Sequence, residues 1–304
     1  MIEARQLSMT FDGFEALHGL NCTISEGSVY GLIGSNGAGK STFLRLLAGI
    51  YRPAEGEVLY DGVPVYDNPA VKSQIFFLSD ELYFLPRATM DKMARFYENL
   101  YSSFRMDRYR LLTQRFGLNP RASVSTFSKG MRRQAAIILA LSVRPQYLFF
   151  DETFDGLDPV MRNLVKEIIT EDIKERGSTA IIASHSLREL EDVCDQLSLL
   201  HKGGIVLESQ MGNLKTSLCK VQIALDHPFD RTLFSEYDLV SYHQSGSVAE
   251  LTVRGEQAAL LESLKNLSPV VLEPLPLGLE EVFIHEMSAL GYSFSGEPKE
   301  GDGR

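Results

Sequence analysis

The sequence predicts an α/β fold around a parallel sheet, followed by a smaller α+β module. One observation is the apolar run VYGLIG (29–34), which continues into a glycine-rich stretch and then into an apolar stripe with helical spacing. Another is a pair of apolar runs, YLFFD (147–151) and TAIIASH (179–185), each preceded by a helix-like segment. Because short buried strands alternating with helices are typical of parallel sheets, we expect all three runs to be strands of one sheet.

Composition limits the classes of protein that this chain can represent. It has 304 residues, 44% of them hydrophobic, which leaves room for about two domains. A net charge of −10 disfavours a protein that wraps nucleic acid, and we expect no nucleic-acid partner. The three cysteines are widely spaced, which favours free thiols in a reducing compartment. The sequence has no signal-peptide pattern and no apolar run of about 18 residues, so any membrane span is expected from another chain.

The segment around the glycine-rich stretch predicts strands and then a helix. Leu7, Met9 and Phe11 alternate with polar residues, as on a half-buried strand. Asp61-Gly62 separates two apolar runs in EVLYDGVPVY and predicts a hairpin. The helical stripe after the glycines consists of Phe43, Leu46, Leu47 and Ile50.

The remaining segments predict the domain organisation. Residues 86–122 favour helices, in which a stripe is expected to face the core rather than a ligand; it comprises Met93, Phe96, Tyr97 and Leu100. After about residue 212, strand-like runs (KVQIAL, VAELTV, PVVLEPL) are interspersed with helix-like ones (TLFSEY, EQAALLESLKNL, GLEEVFIHEMSAL). We expect a main domain over 1–211, with a helical part at about 82–140, an accessory α+β domain over 212–291, and a flexible tail over 292–304.

The glycine-rich stretch matches G-x-x-x-x-G-K-[ST] and predicts a phosphate-binding loop. Its glycines let backbone N–H groups turn toward a phosphate, and the helix that follows directs its positive end there. Lys40 is expected to reach the β- and γ-phosphates and the Ser41 hydroxyl to bind Mg²⁺. The predicted nucleotide-binding residues here are Gly34, Ser35, Asn36, Gly37, Ala38, Gly39, Lys40, Ser41 and Thr42.

Chemically active side chains end the other two predicted strands. Asp151 and Glu152 end one, and His185 ends the other. Ligands of such sheets bind at the carboxyl ends of the strands. One carboxylate there can hold Mg²⁺ through water, and its neighbour can polarise an attacking water. The alternatives are a solvated acidic pair and a structural histidine.

Three further motifs resemble one family. FSKGMRRQ (127–134) resembles the signature LSGGQ, which is followed by a basic residue and Gln; ETFDGLDP (152–159) resembles EPTSGLDP; and Ser184-His185 matches a switch-histidine loop. In this order, with the phosphate loop, they resemble the nucleotide-binding subunits of ATP-binding-cassette (ABC) transporters over residues 1 to about 211. This resemblance implies a mixed-sheet core, an antiparallel β subdomain and an α-helical subdomain.

The resemblance implies a role for each motif. Two cassettes would close head to tail on two ATP molecules, so that Ser128 and Gly130 of one copy grip the γ-phosphate held by the loop of the other. Glu152 would be the general base, His185 a γ-phosphate contact, and Asp158 a contact across the dimer. The implied partners are a second cassette, identical or paralogous, and a transmembrane permease subunit at the cytoplasmic face of the membrane.

The match has departures and one ambiguous position. Phe11 matches the aromatic residue that stacks on adenine, although a plain strand-face aromatic is the alternative. Asp80 stands where the family has a Gln that touches Mg²⁺ and the membrane partner, and Glu81 is a rival for this position. The implied Mg²⁺ ligands are therefore Ser41, Asp151 and Asp80. The other departures are Lys129 for a glycine of the signature and Thr153-Phe154-Asp155 for the usual Pro-Thr-Ser.

The resulting hypothesis is an ATPase that drives a transporter. The SKGM signature and LEEVF (279–283) resemble those of bacterial exporters with separate membrane subunits, although LEEVF also fits an ordinary amphipathic helix. The main alternative is a DNA-repair or chromosome-structuring ATPase, disfavoured because no long coiled coil separates Lys40 from Ser128. A translation-type factor is disfavoured by the single phosphate loop, and an ATP-binding regulator without turnover by Glu152 and His185.

Overall fold

The computed structural model describes residues 1–289. The expected tail, 292–304, and the last two residues of the expected accessory domain lie outside the described residues. The chain divides into two compact units, Met1–Glu208 and Ser209–Arg304.

The first unit combines two sheets with helices. Its strands are β1 (Ile2–Phe11), β2 (Phe14–Ile24), β3 (Val29–Ile33), β4 (Glu55–Tyr60), β5 (Val63–Pro64), β6 (Ile75–Leu78), β7 (Tyr147–Asp151), β8 (Thr179–Ser184), β9 (Gln196–His201) and β10 (Gly204–Gln210), the last of which ends just past the unit boundary. Its helices are α1 (Lys40–Leu47), α2 (Pro69–Lys72), α3 (Met90–Leu100), α4 (Met106–Arg115), α5 (Lys129–Val143), α6 (Pro159–Arg176) and α7 (Leu187–Leu190), with a 3₁₀ turn at Val124–Thr126.

The larger sheet has six strands in the order β10-β9-β3-β8-β7-β6. The β9–β3, β3–β8, β8–β7 and β7–β6 pairs are all parallel. Every residue of β3, β7 and β8 is buried, which explains why these strands are continuous apolar runs in the sequence. The three predicted strands are therefore confirmed as neighbours, and their carboxyl ends lie at one edge of the sheet.

The smaller sheet is antiparallel, in the order β2-β1-β4-β5. The predicted hairpin is confirmed, since Asp61 and Gly62 join β4 to β5 with φ of 50° and 80°, as a tight turn of this kind requires. The buried faces of this sheet and of α1 share one core cluster with β3 and β7.

Two predicted stripes are wrong in part. Ile50 is outside α1 and 51% exposed, because the helix ends at Leu47 and Gly49 turns the chain with φ of 65°. On α3, Met93 is buried but Leu100 is 60% exposed. The buried face of this helix runs through Met90, Met93 and Ala94, so its outer end extends beyond the core.

The second unit is an α+β module with its own core. Its elements are α8 (Met211–Ser217), β11 (Leu218–Ala224), a 3₁₀ turn (Arg231–Phe234), β12 (Leu239–Ser245), β13 (Val248–Arg254), α9 (Gln257–Lys265), β14 (Val271–Leu275) and α10 (Leu279–Ala289). The antiparallel sheet has the order β12-β13-β11-β14. One face of β11 and β13 forms a buried cluster with Leu260 and Leu264 of α9. The strand β12 was not predicted, because its residues are mixed rather than alternating.

Candidate functional site

The glycine-rich loop connects the buried strand β3 to α1, as predicted. Gly39 stands at the N-cap of α1 with φ of 106°, a conformation that favours glycine. A Cβ atom at Gly39 would lie 2.7 Å from Leu17 Cδ2 and 3.0 Å from the Ala16 carbonyl oxygen, so the backbone passes closely under β2. The N-terminal end of α1 therefore faces the same edge of the sheet as the ends of β7 and β8.

Lys40 lies buried inside this loop. Its Nζ donates to the carbonyl oxygens of Gly34 (2.7 Å) and Ser35 (3.1 Å). The same Nζ is 3.0 Å from Glu152 Oε1, an ion pair in which both side chains are largely shielded from solvent. The loop and the end of β7 are thus joined through one ammonium group.

Glu152 has a special backbone conformation. Its φ of 49° is left-handed, which is uncommon for a residue with a side chain and often marks a functional position. Its N–H donates to the Ala183 carbonyl of β8 at 3.0 Å. The second carboxylate oxygen, Oε2, accepts from the His185 N–H (3.3 Å) and contacts His185 Nδ1 (2.9 Å). Glu152 therefore bridges Lys40 and His185.

The neighbouring carboxylate, that of Asp151, contacts a different residue of the loop. It is buried, and its Oδ1 accepts from Ser41 Oγ at 2.9 Å. Burial raises the pKa of Asp151, although the Ser41 hydroxyl and Arg45 act in the opposite direction. Its Oδ2 is buried without a hydrogen-bond partner in the protein. Such an oxygen can serve a metal ion or a metal-bound water.

Lys40, Ser41 and Glu152 border an open cleft of about 460 Å³, whereas Asp151 and His185 are not part of its lining. It is lined by Phe11, Phe14, Ala16, Asn36, Gly37, Gly39, Lys40, Ser41, Thr42, Asp80 and Glu152. One rim is aromatic: Phe11 makes an edge-on contact with Tyr51, with 5.6 Å between ring centroids, and Phe14 is strongly exposed. A cleft that combines exposed aromatic rings with a lysine offers contacts both for a base and for phosphates.

Asp80 does more than line the cleft. Its Oδ1 accepts from Arg133 Nη2 at 2.7 Å, and its carbonyl accepts from Arg133 Nη1 at 3.1 Å. The Arg133 side chain is only 3% exposed, whereas that of Asp80 is 57% exposed. Arg133 belongs to α5, so this contact ties the loop after β6 to the helix that begins with the signature segment. Sequence reasoning did not identify Arg133, although an arginine within the apolar helix α5 requires a partner.

The remaining predicted residues lie away from the cleft lining. Ser128 caps α5, and its Oγ accepts from the Met131 N–H at 3.2 Å. Asp158 caps α6 through Oδ1, which accepts from Val160 N–H and Met161 N–H at 3.0 Å each. A Cβ atom at Gly130 would lie 3.2 Å from the Gly156 carbonyl oxygen. The signature segment therefore adjoins the loop before α6, and its residues do not reach the chain's own cleft.

Similarity to known proteins decides the family. The chain is 30% identical to the ABC transporter ATP-binding protein YtrB of Bacillus subtilis (strain 168) over 284 residues, which cover 93% of this chain and 97% of YtrB. The chain belongs to the ATP-binding subunits of ABC transporters. The family description "ABC transporter" matches residues 17–155, which contain the loop, the signature and β7.

Other ABC proteins match over shorter or comparable lengths. The daunorubicin/doxorubicin resistance ATP-binding protein DrrA of Streptomyces peucetius is 32% identical over 228 residues, covering 71% of this chain and 67% of DrrA. A solved structure described as an ATP-binding subunit of an ABC transporter superposes with a TM-score of 0.65 at 25% identity, over 71% of this chain and 92% of that one. The cbiO1 subunit of Clostridium perfringens, part of an ABC transporter complex, superposes with a TM-score of 0.59 at 25% identity, over 70% and 89%.

These matches confirm the predicted fold, an ABC cassette of the phosphate-loop NTPase class. Within residues 1–289, no helix combines the length and apolarity that crossing a membrane requires. The same residues contain no cluster of three or more His, Cys, Asp or Glu side chains suited to a resident metal ion.

Proposed function

We propose that this ATP-binding subunit hydrolyses ATP, with Glu152 as the general base, and that hydrolysis drives a transporter. The observation that carries the proposal is the carboxylate of Glu152, which lies between Lys40 of the phosphate loop and His185 of the switch loop. A carboxylate, an ammonium group and an imidazole therefore meet beside the cleft, whose lining includes Lys40 and Glu152. This grouping suits a reaction in which water attacks a phosphoryl group.

In the proposed reaction, Glu152 accepts a proton from water as the water oxygen forms a bond to the γ-phosphorus. The bond from the γ-phosphorus to the oxygen bridging the β- and γ-phosphates breaks, which yields ADP and phosphate. Lys40 neutralises charge on the β- and γ-phosphates, and His185 contacts the γ-phosphate. The backbone N–H groups from Gly34 to Thr42 hold the phosphates, while Phe11 stacks on adenine.

The residues present fit Mg²⁺. The buried Asp151 Oδ2 has no hydrogen-bond partner in the protein, and Ser41 Oγ lies beside Asp151 Oδ1. We propose Ser41 and Asp151 as the residues that hold the ion, with Asp80 able to approach from the cleft rim. When bound with the nucleotide, Mg²⁺ neutralises charge on the β- and γ-phosphates.

We further propose that two cassettes close head to tail. Ser128, Gly130 and Asp158 are predicted nucleotide or dimer contacts, yet they do not line the chain's own cleft. Contact with the nucleotide of a second cassette would reconcile this prediction with their positions outside the cleft. In this arrangement residues 1–211 are the ATP-binding domain, with a helical part at about 82–140, and residues 212–291 an accessory domain.

The proposed partner in transport is a separate transmembrane permease subunit, to which this chain would bind at the cytoplasmic face of the membrane. The cbiO1 subunit, described as part of a transporter complex, supports an assembly of separate chains. The match to DrrA, named for drug resistance, supports the export direction, as do the SKGM signature and LEEVF.

The decisive test is Glu152→Gln, which keeps the shape of the side chain and removes its basic carboxylate. We expect phosphate release to fall by about 100-fold or more, because general-base catalysis is typically worth that much. Binding of a fluorescent ATP analogue should be retained. The control is Glu167→Gln, the same exchange at an exposed position of α6. Phosphate release that is equal in the two variants would remove Glu152 from its proposed role.

A further inference from the structure

A buried carboxylate that the proposed reaction does not use lies just behind the switch loop. Glu189, on the short helix α7, is only 4% exposed. A buried carboxylate needs hydrogen-bond donors or a cation to offset its desolvation. Glu189 has both: its Oε2 accepts from Ser184 Oγ at 2.6 Å, and its Oε1 lies 3.5 Å from Arg162 Nη2.

The first of these contacts fixes the residues on either side of His185. A serine hydroxyl has one proton to donate and two lone pairs that accept. The Ser184 hydroxyl uses its proton in the hydrogen bond to Glu189, so its oxygen remains free to accept one. The Ser186 N–H donates to Ser184 Oγ at 2.9 Å. Ser184 and Ser186 are thus fastened to one another across His185, whose own N–H and Nδ1 contact Glu152.

The second contact leads to the loop before α6. Arg162 Nη2 also donates to the Leu157 carbonyl oxygen at 3.4 Å. Leu157 directly precedes Asp158, which caps α6 and is predicted to contact a second cassette. One guanidinium group therefore joins the chain at Leu157 to the buried carboxylate behind His185.

We propose that Glu189 and Arg162 are positioning residues that couple the loop at Leu157-Asp158 to His185. A shift of Asp158 when a second cassette docks would pass through Arg162 and Glu189 to Ser184, and so set the contact of His185 with Glu152. Neither residue touches the reacting atoms. This inference rests on the proposed ATPase function.

The test compares two variants of this connection with a matched control, all in the full chain. Glu189→Gln turns an amide toward Arg162 but keeps an oxygen for Ser184, and Arg162→Met removes the guanidinium. Lys166→Met is the control, because the largely buried Lys166 also joins α6 to the α7 region, through the Arg188 carbonyl (3.3 Å) and Asp192 (3.8 Å), without contacting Ser184 or Leu157.

We expect Glu189→Gln and Arg162→Met each to lower kcat for ATP by about 10-fold, since supporting residues of a site typically contribute about 10-fold to 100-fold. The KM for ATP should stay unchanged, because the nucleotide-binding loop is not altered. The double variant should lose no more than the worse single variant, as expected when two residues act through one contact. Lys166→Met should match the unaltered protein.

A second measurement does not depend on turnover. In protein labelled with ¹⁵N-histidine, Glu189→Ala should shift the imidazole signals of His185, which are assigned with His185→Gln, whereas Lys166→Met should leave them in place. Ring-nitrogen signals report the hydrogen bonding of the imidazole, which a merely stabilising contact would not change.

The outcomes separate the two proposals. If the unaltered protein hydrolyses ATP while Glu189→Gln and Arg162→Met keep full kcat, the coupling is overturned and the ATPase function stands. The coupling is also overturned if Lys166→Met loses as much kcat as the other two. If the unaltered protein hydrolyses no ATP, the proposed function fails. The coupling would then be judged by the NMR measurement alone, and unchanged His185 signals in Glu189→Ala would overturn it.

Discussion

Asp151 and Glu152 are adjacent, yet their carboxylates face different partners. Asp151 lies against Ser41, whereas Glu152 lies between Lys40 and His185. The left-handed φ of 49° at Glu152 turns the backbone, so that the two side chains leave the chain in different directions. The sequence predicted that both acids end a buried strand, because the apolar run stops there. It could not predict the division of partners, since that depends on one backbone angle and on the neighbouring strand.

The aromatic rim of the cleft provides a prediction for single side chains. We expect Phe11→Ala to weaken binding of a fluorescent ATP analogue by about 10-fold, because stacking of a base on an aromatic ring is worth about 1–3 kcal/mol. Phe14 is the matched control: it lines the same cleft, but the sequence match assigns stacking to Phe11. A loss of affinity in Phe14→Ala, with Phe11→Ala unchanged, would transfer the stacking role to Phe14.

Asp80 makes a contact that no local sequence pattern indicates. The resemblance to the family predicts Asp80 at a position where the family has Gln, with Glu81 as the rival. Asp80 lines the cleft and accepts from Arg133, and its assignment to the position of the family's Gln stays a prediction. The partner is 53 residues away in sequence, so no local pattern contains this contact.

At the scale of elements, a buried ion cluster fastens α4 to α6. Asp172 of α6 is buried, and its Oδ1 lies 2.5 Å from Arg108 Nη2 of α4, while Oδ2 lies 3.6 Å from Arg176 Nη2. Burial raises the pKa of Asp172, and the two arginines act in the opposite direction. The helical part of the first unit is thus joined to the helix that follows Asp158.

Removing this carboxylate should destabilise the first unit. We expect Asp172→Ala to lower its free energy of unfolding by about 3 kcal/mol, because loss of one partner leaves buried charges uncompensated. Glu171→Ala is the matched control; its exposed pair with Arg115, 3.5 Å apart, should contribute less than about 1 kcal/mol. Urea unfolding followed by circular dichroism measures both. Equal losses would mean that the buried cluster does not stabilise the contact of α4 with α6.

Elements with a clear pattern of apolar residues could be predicted from the sequence. The ends of elements that stop at local turns could be predicted less well. The strands β3, β7 and β8 are continuous apolar runs because helices or other strands cover both faces. The stripe predicted for α1 included Ile50, which lies three residues past the end of the helix at Leu47, because this apolar residue continues the helical spacing past Gly49. The strand β12 escaped prediction because it alternates neither in polarity nor in burial.

At the scale of the whole molecule, the proposed dimer gives a direct prediction. In the Glu152→Gln background with ATP and Mg²⁺, we expect the mass in solution to double from the 34.0 kDa of one chain. Trapped nucleotide would keep its contacts with both copies, as in other switches that release on hydrolysis. Ser128→Arg should abolish the doubling, because a bulky cation at the cap of α5 would block the partner's phosphate.

Ser103→Arg is the control, since it adds the same side chain to the exposed loop between α3 and α4. Light scattering after size-exclusion chromatography distinguishes the outcomes. A protein that stays at one chain's mass in the Glu152→Gln background, whatever the nucleotide, would contradict the head-to-tail arrangement.

In the proposed dimer, the contact of Asp80 with Arg133 would connect the two nucleotide-binding sites. Arg133 follows Ser128 by five residues in α5, about 7.5 Å along the helix axis at 1.5 Å per residue. In the proposed head-to-tail dimer, a displacement of Asp80 by a nucleotide would therefore act on one end of a short segment of α5, whose other end would contact the second cassette's nucleotide. If the proposed dimer forms, we therefore expect nucleotide binding at one site to change the affinity of the other, so that the two ATP molecules would bind cooperatively.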